Sequence, residues 1–211
     1  MKNITCTITA HSGCMGTPDN SLESIDCGAK YGAQIVEIDL RFAKDGTPIL
    51  THDAPKGGEV TLDEAFATVA KHPALRVNVD VKECTEQLSQ VSELAKKHGI
   101  EDRIFFTGLF ENDIPTVQKA CPEVPYWLNM KVKSRLWQTD KYLQGLADTV
   151  KSCKALGINM NKNNASKKLV KVFRKNNLGI SIWTCNTTKD IEKAAALSPD
   201  NITTRRPDLV K

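Results

Sequence analysis

His11, Glu37, Asp39 and His52 are the residues of this chain best placed to do chemistry. Two histidines bracket two carboxylates, and each falls where an apolar strand runs out. The segment Ile35-Val36-Glu37-Ile38-Asp39-Leu40 alternates, so Glu37 and Asp39 point to the same side of one strand. Two adjacent carboxylates facing a barrel interior repel each other and lose hydration, and one would protonate unless a cation sat between them. Hard divalent cations such as Mg²⁺ and Ca²⁺ take oxygen ligands of this kind. A histidine on either side of such an ion supplies the acid and the base of a phosphoryl displacement. Any one of these residues alone reads as a solvated loop residue or an ordinary hydrogen-bonding partner. The set, in order and at strand ends, reads as an enzyme site.

Apolar strand candidates that position these residues recur near 4–10, 35–40, 77–81, 104–107, 126–129, 158–161, 180–184 and 201–204. Amphipathic helices lie between them, over 21–32, 62–70, 85–98, 112–120, 140–156, 165–176 and 188–196. Eight βα units with a short or absent last helix predict a (β/α)₈ TIM barrel, a single compact domain over 1–211, below the ~250 residues usual for that fold. The apolar piece Pro48-Ile49-Leu50-Thr51 is surplus to the eight. It follows Asp45-Gly46, a hairpin signal, at too short a spacing for a parallel crossover. The stretch 41–51 is therefore expected to be an antiparallel hairpin after strand 2, returning across the barrel mouth so that His52 falls opposite Asp39.

Composition sets limits on function. At 211 residues and 40% hydrophobic content the chain can bury one good core but not two comfortable ones. No apolar run approaches the ~18 residues of a membrane span. The start, Met1-Lys2-Asn3-Ile4-Thr5-Cys6, has neither a long apolar region nor a small-residue cleavage site. The seven cysteines, at 6, 14, 27, 84, 121, 153 and 185, form no Cys-x-x-Cys pair and are odd in number. Scattered thiols of this kind fit a reducing cytoplasm, and Cys14, close to the expected mouth, reads as a plain thiol. The net charge of +4 is mild. Its densest part, Lys167-Lys168 through Arg174-Lys175, surrounds Leu169, Val172 and Phe173 at helical spacing, a solvated basic helix face rather than a nucleic-acid or phospholipid patch.

Several segments carry a family resemblance: His11-Ser12-Gly13, Pro18-Asp19-Asn20-Ser21, Val36-Glu37-Ile38-Asp39-Leu40 and Asp45-Gly46-Thr47-Pro48-Ile49-Leu50-Thr51-His52-Asp53. Weaker pieces follow in Val77-Asn78-Val79-Asp80-Val81-Lys82, Ile182-Trp183-Thr184-Cys185-Asn186 and Ile202-Thr203-Thr204-Arg205-Arg206-Pro207-Asp208. Together they resemble the glycerophosphodiester phosphodiesterase family over essentially the whole chain. The resemblance implies that Glu37, Asp39 and Asp80 hold one divalent cation (Mg²⁺ or Ca²⁺, with Mn²⁺ as a further option). It also implies that His11 and His52 are the acid–base pair, that Lys82 contacts phosphate, and that Trp183 walls the substrate pocket. The substrate class it implies is a small phosphodiester, cleaved to an alcohol and glycerol phosphate. Residue patterning agrees at one point: Asn78, Asp80 and Lys82 share one strand face, and three inward polar residues are costly unless they serve a site. Lys82 has a salt bridge to Asp80 as its alternative.

Three departures from the family pattern stand out. Ser12 occupies the place of an arginine that contacts phosphate, and it offers one hydrogen bond and no charge. Asp80 stands for a glutamate, one methylene longer. The stretch 53–61 is cut short, which leaves the mouth open. Sphingomyelinase D-like phospholipases share the first two traits and use a similar Asp-x-Lys strand, whereas Thr204-Arg205-Arg206-Pro207-Asp208 favours the glycerophosphodiesterase side. A barrel that binds a phosphodiester without turning it over is a third reading. Retention of both histidines and all three carboxylates speaks against it. His72 and His98 read as surface residues, and Trp127 and Trp137 as either mouth lining or packing.

Overall fold

A computed structural model describes residues 5–210 of the chain. Eight parallel strands close into a barrel: β1 (Thr7–Ala10), β2 (Ile35–Phe42), β4 (Arg76–Val81), β5 (Ile104–Leu109), β6 (Tyr126–Asn129), β7 (Gly157–Asn161), β8 (Gly179–Trp183) and β9 (Asn201–Thr204). Pairing of β1 with β2 on one side and β9 on the other completes the ring. Residue 4, at the start of the expected first strand, lies outside the described residues.

Among the described residues seven α-helices pack around the strands: α1 (Leu22–Lys30), α2 (Leu62–Ala70), α3 (Ser89–Lys97), α4 (Ile114–Ala120), α5 (Asp140–Ser152), α6 (Lys167–Lys175) and α7 (Thr188–Ala195). Five of them start on a serine or threonine whose side chain accepts an otherwise unpaired backbone N–H: Ser21, Thr61, Thr139, Ser166 and Thr187. At the other end, Lys154 takes a left-handed backbone at φ 55°, and this stops α5 before the expected residue 156. Among the described residues, β9 is followed by a short 3₁₀ turn, Pro207–Val210.

The apolar core fills the annulus between sheet and helices, with Phe66, Phe106 and Phe173 fully enclosed there. Inside the ring the strands instead present Thr9, Asn78, Thr107, Asn159, Ser181, Asn201 and Thr203, all buried. These bond to one another, as in Asn159 Nδ2 donating to Asn129 Oδ1 (2.9 Å) and Thr9 Oγ1 donating to Asn201 Oδ1 (2.9 Å). A polar interior satisfied in this way avoids the penalty of unpaired buried groups and leaves a hydrophilic floor under the mouth.

The expected hairpin is present. β3 (Pro48–Leu50) runs antiparallel to β2, with Leu40 opposite Leu50 and Phe42 opposite Pro48. Gly46 turns the tip at φ 89°, a backbone conformation costly for any residue with a side chain. The register puts Thr51, not His52, opposite Asp39, with Thr51 N–H donating to Asp39 O at 3.0 Å. His52 is one residue further along, which carries it out over the mouth.

Candidate active site

Asp39 and Asp80 are register partners on β2 and β4, as are Glu37 and Asn78 one step deeper. Because side chains on one face repeat every second residue, this pairing brings three carboxylates together. One oxygen from each of Glu37, Asp39 and Asp80 lies within 4.8 Å of the other two. Lys82, just past the end of β4, places its ammonium 2.8 Å from Asp39 Oδ1 and against Asp80 Oδ2. Asp80 also accepts a hydrogen bond from Thr107 Oγ1 at 2.7 Å. Asn20 clamps Asp39 from the side: its Nδ2 donates to Asp39 Oδ2 at 2.8 Å and its Oδ1 accepts Asp39 N–H at 2.9 Å.

Burial pushes the Glu37 carboxyl well above the usual range, and the nearby Asp39 and Asp80 raise it further; the N–H of Ser12, 2.8 Å from Glu37 Oε2, opposes them. Asp39 moves the other way. Burial would raise it, but the Lys82 ammonium and the hydrogen bonds from Lys82 and Asn20 outweigh that and hold it low. With all three ionised, three carboxylates against one ammonium leave two negative charges, and burial beside that charge is what raises the Glu37 pKa. All-oxygen donors, close spacing and a charge of minus two to be balanced fit a hard divalent cation and disfavour zinc.

His11 lies directly beyond β1, next to the cluster. Its Nδ1 is 3.0 Å from Ser12 O and 3.4 Å from Glu37 Oε2. A carbonyl only accepts, so Nδ1 carries the proton and Nε2 is left as the free base. Burial lowers the His11 pKa, partly offset by the Ser12 carbonyl, with Arg205 lowering it further. His52 is far more open, 69% exposed, and its Nδ1 pairs with Asp53 Oδ1 at 2.9 Å. Arg41 Nε donates to His52 O at 3.0 Å and anchors its backbone.

Of the residues singled out in the sequence, His11, His52, Glu37, Asp39, Asp80, Lys82 and Trp183 all line one cavity of about 510 Å³ at the C-terminal end of the strands. Ser12 does not. It is 2% exposed, and its Oγ accepts the backbone N–H of Asn20 at 2.5 Å. The expectation that Ser12 touches phosphate is therefore corrected. Its backbone steadies Glu37 and its hydroxyl steadies the residue that clamps Asp39.

Arg205 is a charged cavity residue that sequence reading did not single out. Its Nη1 pairs with Asp19 Oδ1 at 2.7 Å, and its backbone is joined to the His11 loop through Met15 N–H. Period-two alternation from Thr203, also in the cavity wall, would have placed Arg205 inside and Arg206 outside. Arg206 indeed pairs with Asp208 away from the cavity. Gly13 makes the Arg205–Asp19 pair possible: at φ 72°, a Cβ there would stand 2.0 Å from Asp19 Oδ1 and 2.8 Å from Arg205 Nη1.

His72, His98, Trp127 and Cys14 have structural roles, and Trp137 lines no part of the cavity. His72 and His98 are only partly exposed and bind Asp26 and Asp63, each at 2.7 Å, tying neighbouring helices together. Trp127 packs over Gly179, where any side chain would collide with the indole. Burial pushes the Cys14 thiol up to about 11, which leaves it protonated and inert. Trp137 stands exposed on the loop after β6.

Comparison with known proteins agrees with this geometry. The sequence model of the Glycerophosphoryl diester phosphodiesterase family matches residues 11–71 and 68–209. A glycerophosphodiester phosphodiesterase of Bacillus altitudinis is 24% identical, covering 95% of this chain and 95% of its own length. Two solved structures share the fold. One is a phosphodiesterase of Oleispira antarctica in complex with the product sn-glycerol-3-phosphate (TM-score 0.81, 18% identity, 97% of this chain and 94% of that one). The other is a glycerophosphodiester phosphodiesterase of Agrobacterium tumefaciens (TM-score 0.76, 19% identity, 98% and 99%). With the carboxylate cluster, the two histidines and a family match spanning nearly every described residue, the chain belongs to the glycerophosphoryl diester phosphodiesterase family, hydrolases of phosphodiester bonds.

Proposed function

We propose that this chain hydrolyses glycerophosphodiesters to an alcohol and glycerol phosphate, using His11 and His52 for proton transfer and one divalent cation held by Glu37, Asp39 and Asp80. The observation that carries the reading is the charge of the cluster. Two negative charges remain after Lys82 is counted, and Glu37 is buried with them. Mg²⁺, Ca²⁺ and Mn²⁺ all suit the donor set. When bound there, such a cation withdraws charge from phosphorus and lowers the pKa of the attacking oxygen.

The protein residues divide the rest of the work. His11, whose pKa burial lowers and whose Nδ1 faces the Ser12 carbonyl, takes at Nε2 the proton of the attacking oxygen, either of water or of a substrate hydroxyl whose cyclic phosphate water then opens. His52, oriented by Asp53 and open to the mouth, protonates the departing alkoxide. Arg205 supplies the charge that faces the non-bridging phosphate oxygens, with Lys82, already paired to the cluster, as a further hydrogen-bond donor, so the positive charge that Ser12 does not bring comes from the end of β9 instead. Trp183 forms an apolar wall of the cavity. The complex of the Oleispira relative with sn-glycerol-3-phosphate supports a small glycerol-based substrate. The seven free cysteines among the described residues support a cytoplasmic setting.

The test is an assay of purified protein on glycerophosphocholine and on bis(p-nitrophenyl) phosphate, with and without chelator. Turnover of both, abolished by chelation and restored by Mg²⁺, Ca²⁺ or Mn²⁺, is the expected result. Turnover of sphingomyelin or lysophosphatidylcholine without glycerophosphocholine would replace this reading by the sphingomyelinase D-like one.

A further inference from the structure

Among the described residues, Phe110, Leu136, Trp137 and Leu156 are the large apolar side chains left exposed. Three of the four lie at one end of the barrel. Phe110 follows β5, and Leu136 and Trp137 belong to the loop after β6. That is the end where Thr107 and Asn129 of the same two strands line the catalytic cavity. Leu136 is 90% exposed and Trp137 71%, more than any packing role would leave open.

The β6 loop is not exposed through lack of anchoring. Val132 is buried, and its carbonyl accepts Asn164 Nδ2 at 2.7 Å. Gln138 is buried at the loop's far end, where its Nε2 donates to Lys133 O (3.0 Å) and Asn164 O (2.8 Å) and its Oε1 accepts Ser166 Oγ. Lys133 N–H donates to the Tyr142 hydroxyl at 3.0 Å. Both feet of the loop are fixed to the barrel, and between them the backbone holds Leu136 and Trp137 outward.

The charge around these two residues has one sign. Lys131, Lys133 and Arg135 are exposed, and none forms an ion pair among the described residues. No acid occurs between Met130 and Thr139, and the next one, Asp140, pairs with Lys168. An indole and a leucine on a rigid tip, ringed by cations, match the layered chemistry of an anionic phospholipid surface: acyl boundary, then interface, then negative headgroups. Glu111 and Asp113 beside Phe110 restrict the attraction to the β6 side of the mouth.

We propose that the loop 130–139 is a membrane-docking element that seats the mouth of the barrel on anionic phospholipid. Adsorption is reversible, since one small apolar tip and three cations give only peripheral binding. It faces the cavity toward the bilayer, so that substrates in or leaving the membrane meet the carboxylate cluster first. The inference does not depend on catalysis, and vesicle binding is read separately from hydrolysis of a soluble diester.

The experiment is co-sedimentation of the full chain with large unilamellar vesicles of phosphatidylcholine alone or with added phosphatidylserine, at low and high salt, alongside tryptophan fluorescence. Wild type is expected to bind the anionic vesicles and to lose binding in high salt, with a blue shift that Trp137→Ser removes. Leu136→Ser/Trp137→Ser should weaken binding about ten-fold or more. Each of Lys131→Gln, Lys133→Gln and Arg135→Gln should weaken it about five-fold. All these variants should keep wild-type turnover of glycerophosphocholine in solution. Equal binding by wild type and Leu136→Ser/Trp137→Ser, or no binding to anionic vesicles at low salt, overturns the proposal. Concentration-dependent dimerisation of wild type that Leu136→Ser/Trp137→Ser abolishes also overturns it, because the tip would then be an interface between copies of the chain.

Discussion

Asp80 stands beside Asp39 in the register of β2 and β4, and both carboxylates grip the same Lys82 ammonium. A lysine already shared in this way neutralises one charge of the cluster and leaves the pair with Glu37 two short. The raised pKa of Glu37 and the fit of the cluster to a divalent cation both reflect that imbalance.

Glu37 gives the first prediction. Its folded-state pKa is raised above the unfolded value, so its contribution favours the fold at low pH and is lost as pH rises through the folded pKa. In chelator, Glu37→Gln should therefore melt higher than wild type at pH 8, and the gap should close as the pH falls toward about 4. Adding Mg²⁺ or Ca²⁺ should raise the Tm of wild type more at pH 8 than at pH 5, because the cation competes with the proton on Glu37. Thermal melts of both proteins across this range are the check, and a Glu37→Gln Tm below wild type at pH 8 in chelator would contradict it.

Arg205 gives the second. If it grips phosphate, Arg205→Ala should lower kcat/KM for glycerophosphocholine by roughly ten- to a hundred-fold, the range of a lost charge-assisted contact. Arg206→Ala, whose parent residue pairs with Asp208 outside the cavity, should change it less than about two-fold. Equal effects of the two variants would remove Arg205 from the site.

Gly13 supplies an independent test of the same pair. Gly13→Ala forces a side chain into a left-handed backbone, at about 1–2 kcal/mol, and drives it into Asp19 and Arg205. Its kinetic defect should match that of Arg205→Ala, and combining the two should add little further loss. A fully additive double variant would show that Gly13 acts elsewhere.

The histidine roles separate by leaving group. His11→Ala and His52→Ala should each lower turnover of an alkyl diester by about 10²–10⁴. A nitrophenyl leaving group needs little protonation, so it should rescue His52→Ala substantially and His11→Ala hardly at all. The reverse pattern would exchange the two assignments.

Much of this site could be read from the residues, because strand alternation fixes which side chains share a face. Glu37 and Asp39 needed only period two, and the hairpin needed only Asp45-Gly46 and a short spacing. What escaped depended on relations between strands. The hairpin register that puts Thr51 opposite Asp39 is set by the pairing of Leu40 with Leu50. Ser12 looked available because it follows His11, yet the chain turns its hydroxyl back to Asn20. Arg205 is the exception: alternation from Thr203 turns it inward, but it stands in an unbroken polar run from Thr203 to Arg206 that blurs the pattern. The end of α5 depended on a left-handed Lys154, a residue type that gives no such signal.

The most direct measurement is ³¹P NMR of glycerophosphoethanolamine incubated with the metal-stripped protein, before and after stoichiometric addition of Mg²⁺, Ca²⁺ or Mn²⁺. The account predicts no reaction in chelator, appearance of the glycerol phosphate resonance once a suitable cation is added, and no recovery in Asp39→Asn/Asp80→Asn. Release of glycerol phosphate at full rate from metal-free protein, or none with any of the three cations, would contradict it.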